Sequence, residues 1–304
     1  MTQATGGPIM VVMAAGIGRR YGGLKQIEPV GPNGEWIVDY SVFDALRAGF
    51  DRIVFVVREE LEGTLRARFD GALADRCEVD YVHQRVDDLP AGHVRPVDRV
   101  KPWGTGHAIL ACRGLLGGPF AVINADDFYG RSGYELLAGF LGGTGDDHAL
   151  VAYPLDETMT EHGTVSRGIC RLGEDGTLDS IVERKRVAFR NGGIAYTEDG
   201  VDWVPIAEGA IASMNMWGFA SGILDELEDR FTAFLADEPS ADDEFFIPEV
   251  VGDLVAEGRT RVHVLQSCDP WLGVTYKADL VRARSGIARL IEAGAYPARL
   301  WEDR

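Results

Sequence analysis

The 304-residue chain is poor in cysteine, with four in all. Cys77, Cys112, Cys170 and Cys268 lie far apart and form no C-x-x-C pair. That spacing excludes the usual zinc and disulfide frameworks and points to buried free thiols in a reducing compartment. Positive charge is also scarce: 30 Lys plus Arg stand against 48 Asp plus Glu, a formal net charge of −18. Such a surface repels nucleic-acid backbones and anionic lipid, so neither is an expected partner, and any anionic ligand needs a local basic pocket. Long apolar runs are missing. The stretch 8–17 is too short to cross a bilayer and follows no basic segment, so it reads as a core strand of a cytoplasmic protein. The six histidines (His83, His93, His107, His148, His162, His263) show no H-x-x-H or H-E-x-x-H spacing, and there is no G-x-S-x-G elbow. Covalent catalysis through a protein nucleophile is therefore unsupported.

Glycine, by contrast, is plentiful at 38 residues, which implies many tight turns or close backbone approaches. Apolar runs alternate with amphipathic stretches, the pattern of an α/β fold: a Rossmann-like mixed, mostly parallel sheet with helices on both faces. Strands are expected at Ile9–Ala14, Arg52–Val57, Glu78–Val82, Phe120–Asn124 and Ala149–Tyr153, with helices at Asp39–Ala48, Glu59–Phe69, His107–Leu116 and Ser132–Phe140. Beyond about residue 155 come strands at Thr164–Leu172, Thr177–Glu183, Ala210–Phe219 and Thr260–Leu265. Helices are expected there at Ser221–Ala236, Asp243–Glu257 and Lys277–Ala293. Asn191–Glu208 reads as an excursion with a hairpin signal at Glu198-Asp199-Gly200, and Arg85–Pro102 as a long surface insertion. One domain over 1–304 is expected, its halves falling at about 8–150 and 151–275, with the last helix packed on its own domain.

The most informative stretch is Ala14-Ala15-Gly16-Ile17-Gly18-Arg19-Arg20-Tyr21-Gly22-Gly23-Leu24-Lys25-Gln26, directly after the first strand. Glycines at a strand end let backbone N–H groups approach phosphate oxygens, while Arg and Lys add charge-assisted bonds. A P-loop is excluded because Gln26 follows Lys25, and a dinucleotide fingerprint because the third glycine, Gly22, falls one place late. Gly104-Thr105-Gly106-His107-Ala108 is a turn leading into a helix whose free N-terminal amides can bond a base edge. Asp126 and Asp127 follow an apolar strand, where α/β sheets put ligand chemistry. Other readings of single residues are bland: Gln84 as an exposed strand end, Asp127 as a cap, Glu183 as an edge-strand charge, Trp217 as core filling.

The order of these segments resembles the nucleotidyltransferase family that makes nucleotide sugars, which opens with A-A-G-x-G-[ST]-R and then a lysine. The resemblance covers about residues 8–280. It implies that Ala14, Ala15, Gly16 and Gly18 bind nucleotide, that Arg20 holds the β- and γ-phosphates, and that Lys25 stabilises charge on the α-phosphate. Gly104 and Thr105 fall on the G-T-[GA]-x-A nucleobase motif, and Gln84 on a glutamine that reads a pyrimidine. Asp126 falls on the Mg²⁺ ligand. Ile181-Val182-Glu183-Arg184-Lys185 is similar to I-V-E-x-K, whose glutamate bonds sugar hydroxyls and whose lysine meets the sugar phosphate. Asn215, in Met214-Asn215-Met216-Trp217-Gly218-Phe219, falls on a sugar-binding asparagine.

The implied reaction joins a nucleoside triphosphate and a sugar-1-phosphate, with Mg²⁺, releasing pyrophosphate. The chain departs from the family in carrying Arg19 for Ser or Thr, Leu24 for proline, and a short Arg20-to-Lys25 spacing that also occurs in cytidylyl- and molybdenum-cofactor-type relatives. The family's second metal ligand falls near Gly273 and Thr275, leaving Asp269 or Asp279 as substitutes. Two alternatives follow: a cytidylyltransferase acting on another small phosphate, and a non-catalytic ligand-binding protein of the same fold. A D-x-D glycosyltransferase is excluded by Asn124-Ala125-Asp126-Asp127.

Overall fold

The computed structural model describes residues 6–16, 25–143 and 145–301. Strand β1 (Ile9–Met13) is followed by helix α1 (Ile37–Arg47), β2 (Arg52–Val57), α2 (Glu59–Leu73), β3 (Glu78–His83), α3 (Thr105–Ala111) and β4 (Phe120–Asn124). The order β3-β2-β1-β4 is parallel throughout, with Val11 level with Val54 on one side and Val122 on the other. Side chains alternate between the two faces of a strand, and both faces here are covered. Val11 and Met13 join the core built with α3, whereas Met10 and Val12 join the core built with α1 and α2.

A short strand β5 (Asp127–Phe128), helix α4 (Arg131–Leu141) and strand β6 (His148–Pro154) follow. The second half supplies β7 (Val165–Leu172), β8 (Leu178–Arg190), β9 (Gly193–Tyr196), β10 (Val204–Pro205) and β11 (Ile211–Phe219). It ends with α5 (Ile223–Ala236), α6 (Ile247–Ala256), β12 (Val262–Gln266), β13 (Leu272–Gly273) and α7 (Asp279–Glu292). Strand β11 joins the halves. Its end, Trp217–Phe219, pairs antiparallel with β4, while Ile211–Ser213 pairs with β7 and most of its length with β6. Among the central strands the pairing is mostly parallel, β12 lying parallel to β6 and β11 being the antiparallel member. The result is a mixed α/β fold on one 11-stranded sheet, whose β7-β8-β9-β10 end is an antiparallel ribbon.

Several boundaries differ from the sequence pattern, each for a local reason. Strand β8 runs past Glu183 to Arg190 because Asn191 (φ +50°) and Gly192 (φ +83°) turn it tightly into β9, with Arg190 opposite Gly193. Two successive positive φ values match the right-handed twist of a two-residue hairpin. The excursion 191–208 is thus sheet in part, and Asp199 closes its second turn by accepting the Val201 and Asp202 amides (2.8 and 2.9 Å). Helix α6 starts at Ile247, not at Asp243. Phe245 is held extended by donating to the Trp103 carbonyl (2.6 Å) and accepting from the Gly106 amide (3.0 Å). The expected helix 107–116 is shorter, ending at Ala111 before a tight turn at Arg113–Leu115. The insertion 85–102 is not all surface, since Arg99 is fully buried. The thiols are free, but only Cys112 and Cys170 are buried, and Cys268 is exposed. Leu280, Ala283 and Ile287 of α7 pack on the chain's own core.

Candidate functional site

The chain runs from β1 outward to β2 and β3, then returns to place β4 on the other side of β1. Ligands of open α/β sheets bind in the crevice at such a reversal, beyond the carboxyl ends of the strands. Ala14 and Ala15 lie at that edge, both buried, Ala14 donating its amide to the Val56 carbonyl (2.8 Å). Gln26 Nε2 donates to the Gly16 carbonyl (2.6 Å). Gly18 and Arg20, and the side chain of Lys25, lie outside the described residues.

From the carboxyl end of β4 a cavity of about 550 Å³ opens toward the antiparallel ribbon. Its wall brings together Thr105, Asp126, Glu183, Lys185 and Asn215, residues singled out separately along the sequence. Asp126 follows β4 directly. Glu183 stands on β8 opposite Gly168 of β7, and a side chain at 168 would crowd Ile181 and Ser213, so the glycine keeps this part of the wall open. Glu183 is half-buried, and burial pushes its carboxyl up from the usual 4.5 to about 7, with Arg167 opposing, Glu249 adding and Lys185 opposing. Asn215 sits at a break in the β11 register between Ser213 and Met216, with φ +60°. Asparagine tolerates this left-handed backbone better than most residues, and such strain gathers at functional positions. The Trp217 indole donates to Asn215 Oδ1 (3.3 Å), so this fully buried ring also braces the asparagine.

Gln84 and the G-T-G turn meet differently. Gln84 is buried and its Nε2 donates to the Gly104 carbonyl (2.8 Å), tying the end of β3 to the turn. Gly104 has φ +108°, and a Cβ there would lie 2.6 Å from the Phe245 carbonyl oxygen. Thr105 Oγ1 accepts the Ile247 amide (3.0 Å), so the turn is braced against the start of α6.

Arg167, Lys101 and Glu244 also line the cavity, and no spacing signal marked them in the sequence. Arg167 is buried, donating Nε to Thr158 Oγ1 (3.0 Å) and other guanidinium groups to the Ser166 and Thr158 carbonyls. Its guanidinium lies 5.1 Å from the Trp271 ring centre. What brings it to the wall is the pairing of β7 with β11, a contact distant in sequence that local pattern does not encode.

Asp126 offers the cavity a carboxylate, the hard oxygen donor that Mg²⁺ takes; the ion is content with one or two carboxylates and completes its shell with phosphate and water oxygens. Asp127 is a brace: its carboxylate accepts from Asn124 Nδ2 (2.8 Å) and from the Tyr129 hydroxyl (3.4 Å). A ligand at 273 is excluded sterically, because a Cβ there would lie 2.1 Å from the Trp271 ring and 2.9 Å from Asp127 Oδ1. The suggested substitutes serve helix ends instead. Asp269 accepts the Ser132 amide at the start of α4 (2.6 Å). Asp279 accepts the Thr275 and Tyr276 amides (2.9 and 2.7 Å) and the Thr160 hydroxyl (2.7 Å). Among the described residues no three His, Cys, Asp or Glu side chains form a ready-made metal cage.

No protein-family model matches the chain, and no curated protein sequence does either. Solved structures do. A UDP-glucose pyrophosphorylase complexed with UDP-glucose aligns over 93% of this chain and 99% of its own, with TM-score 0.61 and 17% identity. The inositol-1-phosphate CTP transferase from T. maritima aligns over 94% and 97%, with TM-score 0.63 and 14% identity. At such identities the likeness speaks for the fold, and it extends over nearly the whole of all three chains. Among the described residues no helix is long and apolar enough to cross a membrane.

Proposed function

We propose that this protein is a nucleotidyltransferase that joins a nucleoside triphosphate to a sugar-1-phosphate, releasing pyrophosphate. One observation carries the reading: Asp126, Glu183, Lys185 and Asn215 converge on a single cavity beyond the carboxyl end of β4. Two structures sharing the fold, one a sugar-nucleotide complex and one a CTP transferase by description, add support.

The acceptor's phosphate oxygen attacks the α-phosphorus in line and pyrophosphate leaves. The protein's task is to position two polyanions and neutralise them. Ala14, Ala15, Gly16 and Gly18 approach the nucleotide through their backbone, and Arg20 grips the β- and γ-phosphates. Lys25 stabilises the charge that builds on the α-phosphate and on leaving pyrophosphate. Gly104 and Thr105 flank the base, with Gln84 holding the turn to β3. Lys185 meets the acceptor phosphate, while Glu183 and Asn215 bond acceptor hydroxyls. Mg²⁺, which Asp126 would hold, would supply positive charge to neutralise the reacting phosphates. The net charge of −18 gives the cationic groups their importance, because they work against a field that repels both substrates.

The short Arg20-to-Lys25 spacing favours a second reading, in which CTP and another small alcohol phosphate are the substrates. Pyrophosphate release over a matrix of four nucleoside triphosphates against sugar-1-phosphates and inositol 1-phosphate, with Mg²⁺, tests both. One productive pairing is expected, and its acceptor decides between the readings. Silence across the matrix with nucleotide binding intact would overturn both in favour of a ligand-binding protein.

A further inference from the structure

The insertion 85–102 delivers a lysine to the cavity rim. Its anchor is Arg99, which has no exposed surface. The Arg99 guanidinium donates to the carbonyls of Lys101 and Pro102 (3.1 Å each) in its own loop, and to those of Ser240 (3.0 Å) and Asp243 (2.8 Å) in the loop before α6. It also lies 3.6 Å from the Trp103 ring centre, and the Trp103 indole donates to the Val86 carbonyl (2.8 Å). Two residues beyond this anchor the Lys101 backbone is therefore fixed, while its long stem stays adjustable. Lys101 Nζ donates to the Asp242 carbonyl (2.8 Å) and pairs with Glu244 Oε1 (2.6 Å). Lys101, Asp242 and Glu244 all line the cavity.

Lys185 comes to the same acidic turn from β8. Its field acts on both Asp243 and Glu249, and Glu249 also feels Glu244 and Asp243. The two lysines thus both line the cavity beside one short stretch of carboxylates, 242–249.

We propose that Lys101 is the second arm of a two-lysine clamp on the acceptor's phosphate, with Glu244 holding the ammonium group in place until the phosphate displaces it. The proposal rests on the acceptor-phosphate reading above. An ammonium group has three donors and no acceptor, so Lys101 can keep its bond to the Asp242 carbonyl while exchanging a carboxylate oxygen for a phosphate oxygen. A phosphate monoester is nearly a dianion near neutral pH with three strong acceptor oxygens, and competes well against a single carboxylate that can swing into water. Glu244 is already partly exposed, its side chain 26% accessible, so its release needs no rearrangement of the core. The clamp sets specificity, because an acceptor must carry its phosphate at the reach of both lysines.

The test is calorimetric binding of glucose 1-phosphate, inositol 1-phosphate and inorganic phosphate to the full chain without nucleotide. Wild type is compared with Lys101→Met, Glu244→Gln and the double variant, with thermal melts confirming that each folds. For the tightest probe, Lys101→Met is expected to weaken binding about tenfold, on the scale of one charge-assisted bond. Glu244→Gln is expected to tighten binding about threefold, and the double variant to match Lys101→Met, since Glu244 acts through the lysine. Nucleoside triphosphate affinity should stay within about twofold in all three.

The clamp is overturned if Lys101→Met binds as wild type, if the Glu244→Gln gain persists in the double variant, or if nucleotide affinity falls equally. If wild type binds none of the probes, the acceptor-phosphate reading falls and the clamp with it. Intact binding with an indifferent Lys101 sinks the clamp alone.

Discussion

Replacing Glu183 with glutamine should make the protein more stable and less able to hold its acceptor. Burial lifts the Glu183 carboxyl from 4.5 to about 7, and the neighbouring Arg167 and Lys185 do not restore it. Between those two values the folded chain holds a proton that the unfolded chain has released, so stability declines as pH rises from 4.5 to 7 and levels off above. At about 1.4 kcal/mol for each pH unit, an ionised Glu183 costs the fold roughly 3 kcal/mol above pH 7. Glutamine resembles the protonated acid and avoids that cost. For a chain of this size 3 kcal/mol corresponds to roughly 5 °C in melting temperature. Glu183→Gln should therefore melt with wild type near pH 4.5 and about 5 °C above it at pH 8. In turnover assays wild-type kcat/KM for the acceptor should fall as pH drops below 7, up to about tenfold per unit, while the variant is weak and lacks that limb. A melting difference that ignores pH, or a variant less stable than wild type at pH 8, would refute the electrostatic reasoning.

Lys25→Ala should fold normally yet release pyrophosphate at least roughly a hundredfold more slowly, the effect of losing one preorganised donor worth about 2.7–4 kcal/mol; near-wild-type turnover removes the lysine from the mechanism. Gly273→Ala forces a methyl group within 2.1 Å of the Trp271 ring. It should destabilise by about 1–3 kcal/mol, and an unchanged denaturant midpoint would show that Trp271 has room to move. Arg99→Met leaves the Asp243 carbonyl without its donor and the Ser240 carbonyl with only the Asp243 amide (3.2 Å). The 238–246 loop should then be cut faster by protease under native conditions, and equal cutting would show that other contacts hold it.

How far the sequence can be read depends on the range of the interactions involved. The strands β1, β2 and β4 are legible because both their faces are buried, giving unbroken apolar runs such as Ile53–Val57. Asp126 is legible for the same reason, standing at the end of such a run. Glu183, Lys185 and Asn215 are legible through motif order and not through local pattern: β8 mixes exposed and buried positions without clean alternation, and β11 is buried or half-buried along its whole length. The Asn191-Gly192 turn was readable in principle: an Asn-Gly pair between strand-forming residues is a strong hairpin signal, and it accounts for the extra length of β8. Arg167 is not readable, because it reaches the wall through the docking of the β7–β8 hairpin on β11, a contact distant in sequence. The helix expected from Asp243 began late because Phe245 pairs with Trp103, some 140 positions away (on the order of half the chain).

That distant pairing also explains why the G-T-G turn and the acidic loop behave as one unit. Gly104 and Gly106 have no room for side chains, since Phe245 lies against both. Thr105 receives the first amide of α6, and Gln84 pulls the same turn toward β3. The expected base-contacting turn is thus mechanically joined, through Phe245, to the loop carrying Asp242 and Glu244, and Arg99 adds a second tie from the insertion. On the other side of the cavity, β11 links Asn215 to the Asp126 strand through the Trp217–Val122 pair. In the proposed reading, a displacement at the base side therefore has a short, packed route to the acceptor side, and the two walls move together. In-line transfer between two phosphates needs that rigidity, because a misplacement of about 1 Å can cost on the order of a hundredfold in rate.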